Sequence, residues 1–182
     1  MVNSDIKISI QSITSIKQVH FGRVDKQVLV IVDLIGTLIN PSNAGQLIEP
    51  EFETTIKTLK GTGCCIIIMS HLHISDVASM QECYQSLQEV GIDLSTSFAI
   101  DNLTLKMFDD LLVRRPIYYK GIIFTNGYPK AEVLRDFLEE VEFVPSEIFF
   151  IDDHMEYVKS MAVLCKHKKI SFHGYYYQGS NS

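Results

Sequence analysis

Apolar and polar positions along the chain switch between a two-residue and a 3.6-residue period. The run Gln27-Val-Leu-Val-Ile-Val-Asp33 is apolar through its middle, as a strand covered on both faces should be, and predicts a central strand over about residues 27–33. Pro50 then opens a helical stretch carrying Phe52, Ile56 and Leu59 on one side, which Gly61 and Gly63 end. A second apolar run, Cys64-Cys-Ile-Ile-Ile-Met-Ser70, completes a β-α-β unit. Asp76 is placed to cap another helix, in which Val77, Met80, Tyr84 and Leu87 recur at helical spacing and Gly91 is the stop. Residues 92–116 are the least regular stretch, with a short helix expected around Leu103 to Leu112. Gly121-Ile-Ile-Phe124 reads as a strand, Pro129 to Val141 as a helix burying Val133, Leu134, Phe137 and Leu138, and Ile148 to Ile151 as a further strand. Residues 170–177, with tyrosines at 175 to 177, add an expected edge strand that serves packing rather than recognition.

Alternation of this kind predicts an α/β fold, a Rossmann-like and mostly parallel sheet with helices on both faces. The 182 residues suit a single domain with its core over about residues 27–165, and 46% hydrophobic content is enough to fill it. Neither the Leu38 to Gly63 interval nor the Ser70 to Lys130 interval has clear room for a large inserted cap. A net charge of −6 without a block of Lys or Arg argues against a nucleic-acid or anionic-membrane partner. Cys64, Cys65, Cys83 and Cys165 lack metal-type pairing, and neighbours in one strand face opposite sides, so reduced thiols and a cytoplasmic setting are expected. No stretch approaches the roughly 20 apolar residues of a membrane span, and the polar start Met1-Val-Asn-Ser-Asp is unlike a secretory signal. Export as an effector by a route that leaves no such signal is compatible with this reading.

The chemistry concentrates at strand ends. Asp33 closes the first strand and is followed at once by Leu34-Ile35-Gly36-Thr37-Leu38, where Gly36 lets the chain turn back and Thr37 is placed to hydrogen-bond the carboxylate. Ser70 ends the second strand, Asp152 and Asp153 end the run Ile148-Phe-Phe-Ile, and Lys130 starts a helix after a third strand. Parallel strand ends share one edge of the sheet, where ligands of open α/β folds bind. Carboxylates crowded there repel one another unless a cation holds them ionised, and Mg²⁺, which shares hard oxygen ligands with water and phosphate, suits the set. His71-x-His73 invites a zinc reading, but no third and fourth ligands with matching spacing are evident.

Asp33-Leu-Ile-Gly-Thr-Leu, Ser70, Lys130 and Asp152-Asp153, in this order, resemble the four motifs of the haloacid dehalogenase-like superfamily. More narrowly, Phe124-Thr-Asn-Gly-Tyr-Pro-Lys followed by Phe150-Ile-Asp-Asp resembles a poorly characterised bacterial subgroup with members in intracellular pathogens. The resemblance implies a hydrolase that forms an aspartyl-phosphate at Asp33 while Ser70 and Lys130 hold the phosphoryl oxygens. It implies Mg²⁺ held by Asp33, Asp153 and the backbone carbonyl of Ile35, with Asp152 supporting the ion directly or through water. The substrate class is a phosphorylated small molecule or a phosphoprotein. Two positions depart from the pattern. Ile35 stands where phosphatases have the Asp that gives and takes protons, and Glu156 and Tyr157 fall where many relatives have Asn or Asp near the metal. A slow phosphatase favouring aryl phosphates or phosphotyrosine is the expectation, since phenolate departs with little protonation, and His71 or His154 is a candidate substitute base. A catalytically silent binding module is the first alternative. A carbon-heteroatom hydrolase ranks third, because relatives of that kind place Tyr or Ala at the position of Ile35.

Overall fold

The structure, a computed structural model, describes residues 6–74, 76–106 and 114–179. The strands are β1 (Ile8–Ile13), β2 (Val28–Asp33), β3 (Ile39–Asn40), β4 (Asn43–Leu47), β5 (Cys65–Ser70), β6 (Asn102–Thr104), β7 (Ile117–Tyr119), β8 (Ile122–Phe124), β9 (Glu147–Asp152) and β10 (Ser171–Tyr177). The helices are α1 (Glu51–Gly61), α2 (Val77–Glu89), α3 (Lys130–Glu140) and α4 (Met155–Lys168). Eight strands form one sheet in the order β1-β10-β9-β2-β5-β8-β7-β6. Pairing is parallel from β1 to β8 and antiparallel at β7 and β6. The chain is an α/β protein with a Rossmann-like, mostly parallel sheet.

The apolar runs make this sheet because both of its faces are covered. Along β2, Val28, Val30 and Val32 join a core with Phe52, Ile56 and Leu59 of α1 and Met80, Tyr84 and Leu87 of α2. Leu29 and Ile31 point the other way, into a second core with Val133, Leu134 and Phe137 of α3 and Val158 and Met161 of α4. All six residues of β2 are buried, as the unbroken run implied. Cys64 and Cys65 pack against opposite cores, and the four cysteines are free thiols. Among the described residues, no helix is long and apolar enough to cross a membrane.

Four details differ from the reading of the sequence. Residues 171–177 do not form the edge, because β1 pairs along the outside of β10 from Ile8↔Phe172 to Ile13↔Tyr177. The edge strand was hard to see because Ile8 and Ile10 remain 38% and 40% exposed, so its alternation buries little. Asn102–Thr104 is a strand rather than the start of a helix, and residues 107–113 lie outside the described residues. The Leu38 to Gly63 interval contains the β3-β4 hairpin as well as α1, held by Ile48 N–H donating to the Leu38 carbonyl at 3.0 Å. Val77 is 59% exposed in the first turn of α2, off its buried face, although Asp76 caps the helix as expected by accepting from Ser79 N–H at 2.8 Å.

The sheet turns from parallel to antiparallel at a two-residue hairpin, where Tyr119 pairs with Ile122 across Lys120 and Gly121. Both turn residues have positive φ, 46° and 90°, as a type I′ turn requires. A Cβ on Gly121 would lie 2.4 Å from Leu94 Cβ and 2.6 Å from the Leu94 carbonyl oxygen. Gly121→Ala is therefore expected to lower stability by about 2–3 kcal/mol in urea unfolding, through strain and a backbone clash together. Lys120→Gly, at the neighbouring positive-φ position, should instead be neutral or mildly stabilising.

Candidate functional site

Strand direction alone gathers the polar residues. Asp33, Ser70 and Asp152 are the last residues of β2, β5 and β9, which run parallel and side by side. β8 ends one residue before Thr125, and the turn Thr125-Asn126-Gly127-Tyr128-Pro129 leads into α3 with Lys130 as its first residue. The four motifs read from the sequence thus meet at the carboxyl edge of the sheet.

Lys130 is the centre of the cluster. Its Nζ donates to Asp33 Oδ1 at 2.5 Å and to Asp152 Oδ2 at 2.7 Å, and its side chain is 0% exposed. The ring of Tyr157 lies 4.9 Å from the same ammonium. Burial disfavours charge on this lysine, but Asp33 and Asp152 outweigh burial and hold its pKa above the ordinary value. The Asp33 carboxyl is pushed up from 3.8 to about 7, first by burial, with Lys130 pulling it down and Asp152 and Asp153 adding repulsion. Asp152 is raised as well, by burial against the opposing pull of Lys130 and the His154 amide. Fully ionised, Asp33, Asp152 and Asp153 with Lys130 carry three negative charges and one positive, a formal excess of two negative charges.

That excess fits a divalent cation, and so does the geometry. Asp33 Oδ2 is buried without a hydrogen-bond partner among the described residues, which costs roughly 1–3 kcal/mol unless something binds it. The Asp153 carboxylate lies over Gly36, where a Cβ would come within 2.2 Å of Asp153 Oδ2, so the loop after Asp33 and the acid after β9 are in close approach. Gly36 has a φ of 89°, which a side chain would strain as well. The loop is pinned by Gly36 N–H donating to the Ile39 carbonyl at 3.0 Å and Ile39 N–H donating to the Leu34 carbonyl at 2.8 Å, bonds that flank Ile35 without using its carbonyl. Asp152 is different, because Oδ2 accepts from Lys130 and Oδ1 accepts from the His154 amide at 2.8 Å. With both oxygens engaged it suits a supporting place better than direct ligation. Among the described residues, the acids and histidines whose ligand atoms lie within 4.8 Å of one another are Asp152, Asp153 and His154, a group that does not include Asp33. His154 Nδ1 lies 2.8 Å from Asp153 Oδ1. Thr37 departs from expectation: its hydroxyl is buried with no hydrogen-bond partner among the described residues, so it does not bond Asp33.

The surrounding residues extend the set beyond what sequence reasoning named. Ser70 Oγ accepts from Leu72 N–H at 3.2 Å, and its own proton remains available to donate. Thr125 is fully buried, donates its amide to the Ser70 carbonyl at 2.8 Å, and holds His71 Nδ1 at 3.1 Å from its hydroxyl. Burial, then the charge of Lys130, pulls the His71 pKa down. The His71 and His73 rings stand 6.4 Å apart, and among the described residues they form no metal cluster. Asn126 accepts from Ile74 N–H at 2.7 Å and donates to the Arg115 carbonyl at 2.8 Å, tying two loops to the turn. Thr125 could have been found in the sequence, since a hydroxyl directly after an apolar strand is also the signal of Ser70. Tyr157, which the resemblance puts near the metal position, has its ring over Lys130, a contact with no signal in the sequence.

Fold and site together define an α/β protein whose acids and lysine converge on the carboxyl edge of a parallel sheet. The chain belongs to the family described as "Protein of unknown function (DUF2608)", which it matches over residues 37–182. That stretch contains Ser70, Lys130, Asp152 and Asp153 and begins just after Asp33. An uncharacterized protein of Rickettsia felis is 34% identical over 95 residues, covering 50% of this chain and 32% of its own. Uncharacterized proteins of Rickettsia typhi and Rickettsia prowazekii are 26% and 25% identical, covering 86% and 88% of this chain. The chain spans 56% and 57% of the length of those two relatives. No solved structure matches the chain.

The raised Asp33 carboxyl has a consequence for stability. Its folded pKa of about 7 lies above its ordinary 3.8, so between those values the folded state holds more proton than the unfolded state. Stability must then fall as pH rises through that window. In EDTA, unfolding midpoints of wild type compared with Asp33→Asn should show the wild type losing ground from about pH 4 to about pH 7. Equal pH dependence of the two proteins would contradict the buried cluster.

Proposed function

We propose that this chain is a Mg²⁺-dependent phosphomonoesterase that works through an aspartyl-phosphate on Asp33. The observation that carries the reading is the clamp of Lys130 between Asp33 and Asp152, which leaves Asp33 Oδ2 unpartnered at the sheet edge. The resemblance of the four strand-end motifs to the haloacid dehalogenase-like superfamily supports the same reading.

Asp33 and Asp153 would hold the ion with the Ile35 carbonyl, and Asp152 would stand behind them. Bound Mg²⁺ offsets the crowded carboxylates and the charge of the phosphoryl oxygens. Lys130 has three donors and spends two on carboxylates, which leaves one for a phosphoryl oxygen. Ser70 offers a second donor from the neighbouring strand. An Asp33 carboxylate oxygen forms a bond to phosphorus as the bond to the ester oxygen breaks, and that oxygen leaves with the electron pair and takes a proton from solvent. Water then attacks the same phosphorus, its proton goes to solvent or a neighbouring base, and the Asp33 oxygen departs to regenerate the carboxylate and free phosphate. Ile35 carries no proton for either half, so turnover is slow by roughly 10²- to 10⁴-fold against a site that does.

A silent binding module is the second reading, favoured by the half-buried Ile35, whose side chain lines an apolar pocket. Phosphate release from para-nitrophenyl phosphate, with Mg²⁺ and with EDTA, separates the two for wild type, Asp33→Asn and Ile35→Asp. The phosphatase reading expects wild-type release that EDTA and Asp33→Asn both reduce to background. Release in Ile35→Asp alone would mean a site that is assembled and disarmed. Release that survives Asp33→Asn would contradict Asp33 as nucleophile.

A further inference from the structure

Beside Asp33 lies a pocket of about 170 Å³ that none of the polar residues above uses. It is lined by Leu34 and Ile35 from the loop after β2, Ile39 of β3, Leu72 from the loop after β5, and Cys83, Ser86 and Leu87 of α2. Leu34, Ile39 and Leu87 are 3% exposed, whereas Leu72 is 41% exposed, an apolar side chain held at the surface where the pocket opens. The thiol of Cys83 is pushed up to about 11 by burial, so it contributes a neutral apolar surface rather than a thiolate. Among the described residues, those lining the pocket include one hydroxyl, that of Ser86, and no charged group.

Two of the lining residues adjoin the site along the chain. Ile35 is two residues from Asp33 and Leu72 two residues from Ser70, so each lies within about 7 Å, Cα to Cα, of a residue assigned to phosphoryl binding. An apolar cavity of about 150 Å³ is enough to hold benzene. A pocket of this size and lining therefore suits one aromatic ring, and it penalises a sugar or a polyol, most of whose hydroxyls would be buried without partners beyond that of Ser86.

We propose that this pocket seats the aromatic ring of an aryl phosphate monoester, with Ile35 and Leu72 as specificity-determining residues. The proposal rests on the phosphomonoesterase reading and names its substrate class. It also gives Ile35 a positive role: the side chain that removes a proton carrier builds the wall that selects esters needing one least. A phenol leaves with a pKa near 10, against about 16 for a leaving group like bulk water. Free aryl phosphates and phosphotyrosine side chains share this chemistry.

The test is the ratio of kcat/KM for phenyl phosphate to that for methyl phosphate, measured with Mg²⁺ for wild type, Cys83→Phe, which fills the pocket, and the surface variant Leu72→Ala. A phosphotyrosine peptide run alongside distinguishes a protein-borne ring from a free one. The ratio should favour phenyl phosphate and fall at least about tenfold in Cys83→Phe, with a smaller fall in Leu72→Ala. A wild-type ratio near that of the uncatalysed esters, or one that neither variant moves, overturns the pocket while leaving the phosphatase standing. If no ester turns over, the phosphatase reading fails and calorimetry decides the pocket separately. Benzylphosphonate binding more tightly than methylphosphonate, with the difference lost in Cys83→Phe, supports a ring subsite, and equal binding of the two overturns it.

Discussion

One ammonium, that of Lys130, stands between the carboxylates of Asp33 and Asp152 with no exposure to solvent. Removing three charged groups from water is costly, and their mutual attraction offsets that cost only where geometry is tight and the remaining lone pairs are used. Here the geometry is tight because two parallel strands and the start of a helix impose it. β2 and β9 are hydrogen-bonded neighbours that end in Asp33 and Asp152, and α3 begins with Lys130. The lone pairs are only partly used, since Asp152 is saturated and Asp33 Oδ2 is not. Everything proposed for the site follows from this imbalance: a cluster with excess negative charge, rigidly held, with one buried oxygen unsatisfied.

The loop after Asp33 turns that imbalance into a shaped site. Gly36 brings the backbone under the Asp153 carboxylate, and the bridge between Ile35 and Ile39 folds the loop onto its own hairpin. The same turn directs Ile35 into an apolar pocket against α2. The site is thus polar on one side of a short loop and apolar on the other, a combination suited to an ester with a charged head and an unsolvated body. The family match begins at residue 37, so β2 and Asp33, on which the cluster depends, lie just before the matched stretch.

Much of this was legible in the chain. The fully apolar runs ending in Asp33, Ser70 and Asp152 announced buried parallel strands, and parallel strands bring their ends together without further information. Helix starts were legible from Asp76 and from Pro129 before Lys130. Other features depend on contacts that no local pattern carries. Lys130 alone reads as a solvated first-turn lysine and is marked only by its spacing to Asp153, while its pairing with both Asp33 and Asp152 comes from the fold. β1 is obscure in the sequence because two of its three apolar residues, Ile8 and Ile10, stay exposed, and without β1 the strand β10 reads as the edge. Proximity in sequence suggests that Thr37 bonds Asp33, but in the fold its hydroxyl is buried without a partner among the described residues. Tyr157 lies over Lys130 because α4 returns across the end of the sheet, a tertiary fact.

The central claim is that Asp33 is a nucleophile toward phosphorus, and covalent trapping tests it most directly. The chain would be incubated with Mg²⁺ and phenyl phosphate, quenched in acid, digested and mapped by mass spectrometry. The account predicts one phosphoryl group on the peptide containing Asp33, absent in Asp33→Asn and absent when EDTA replaces Mg²⁺. A phosphoryl group on another residue, or substrate turnover with Asp33 never labelled at any quench time, would contradict it.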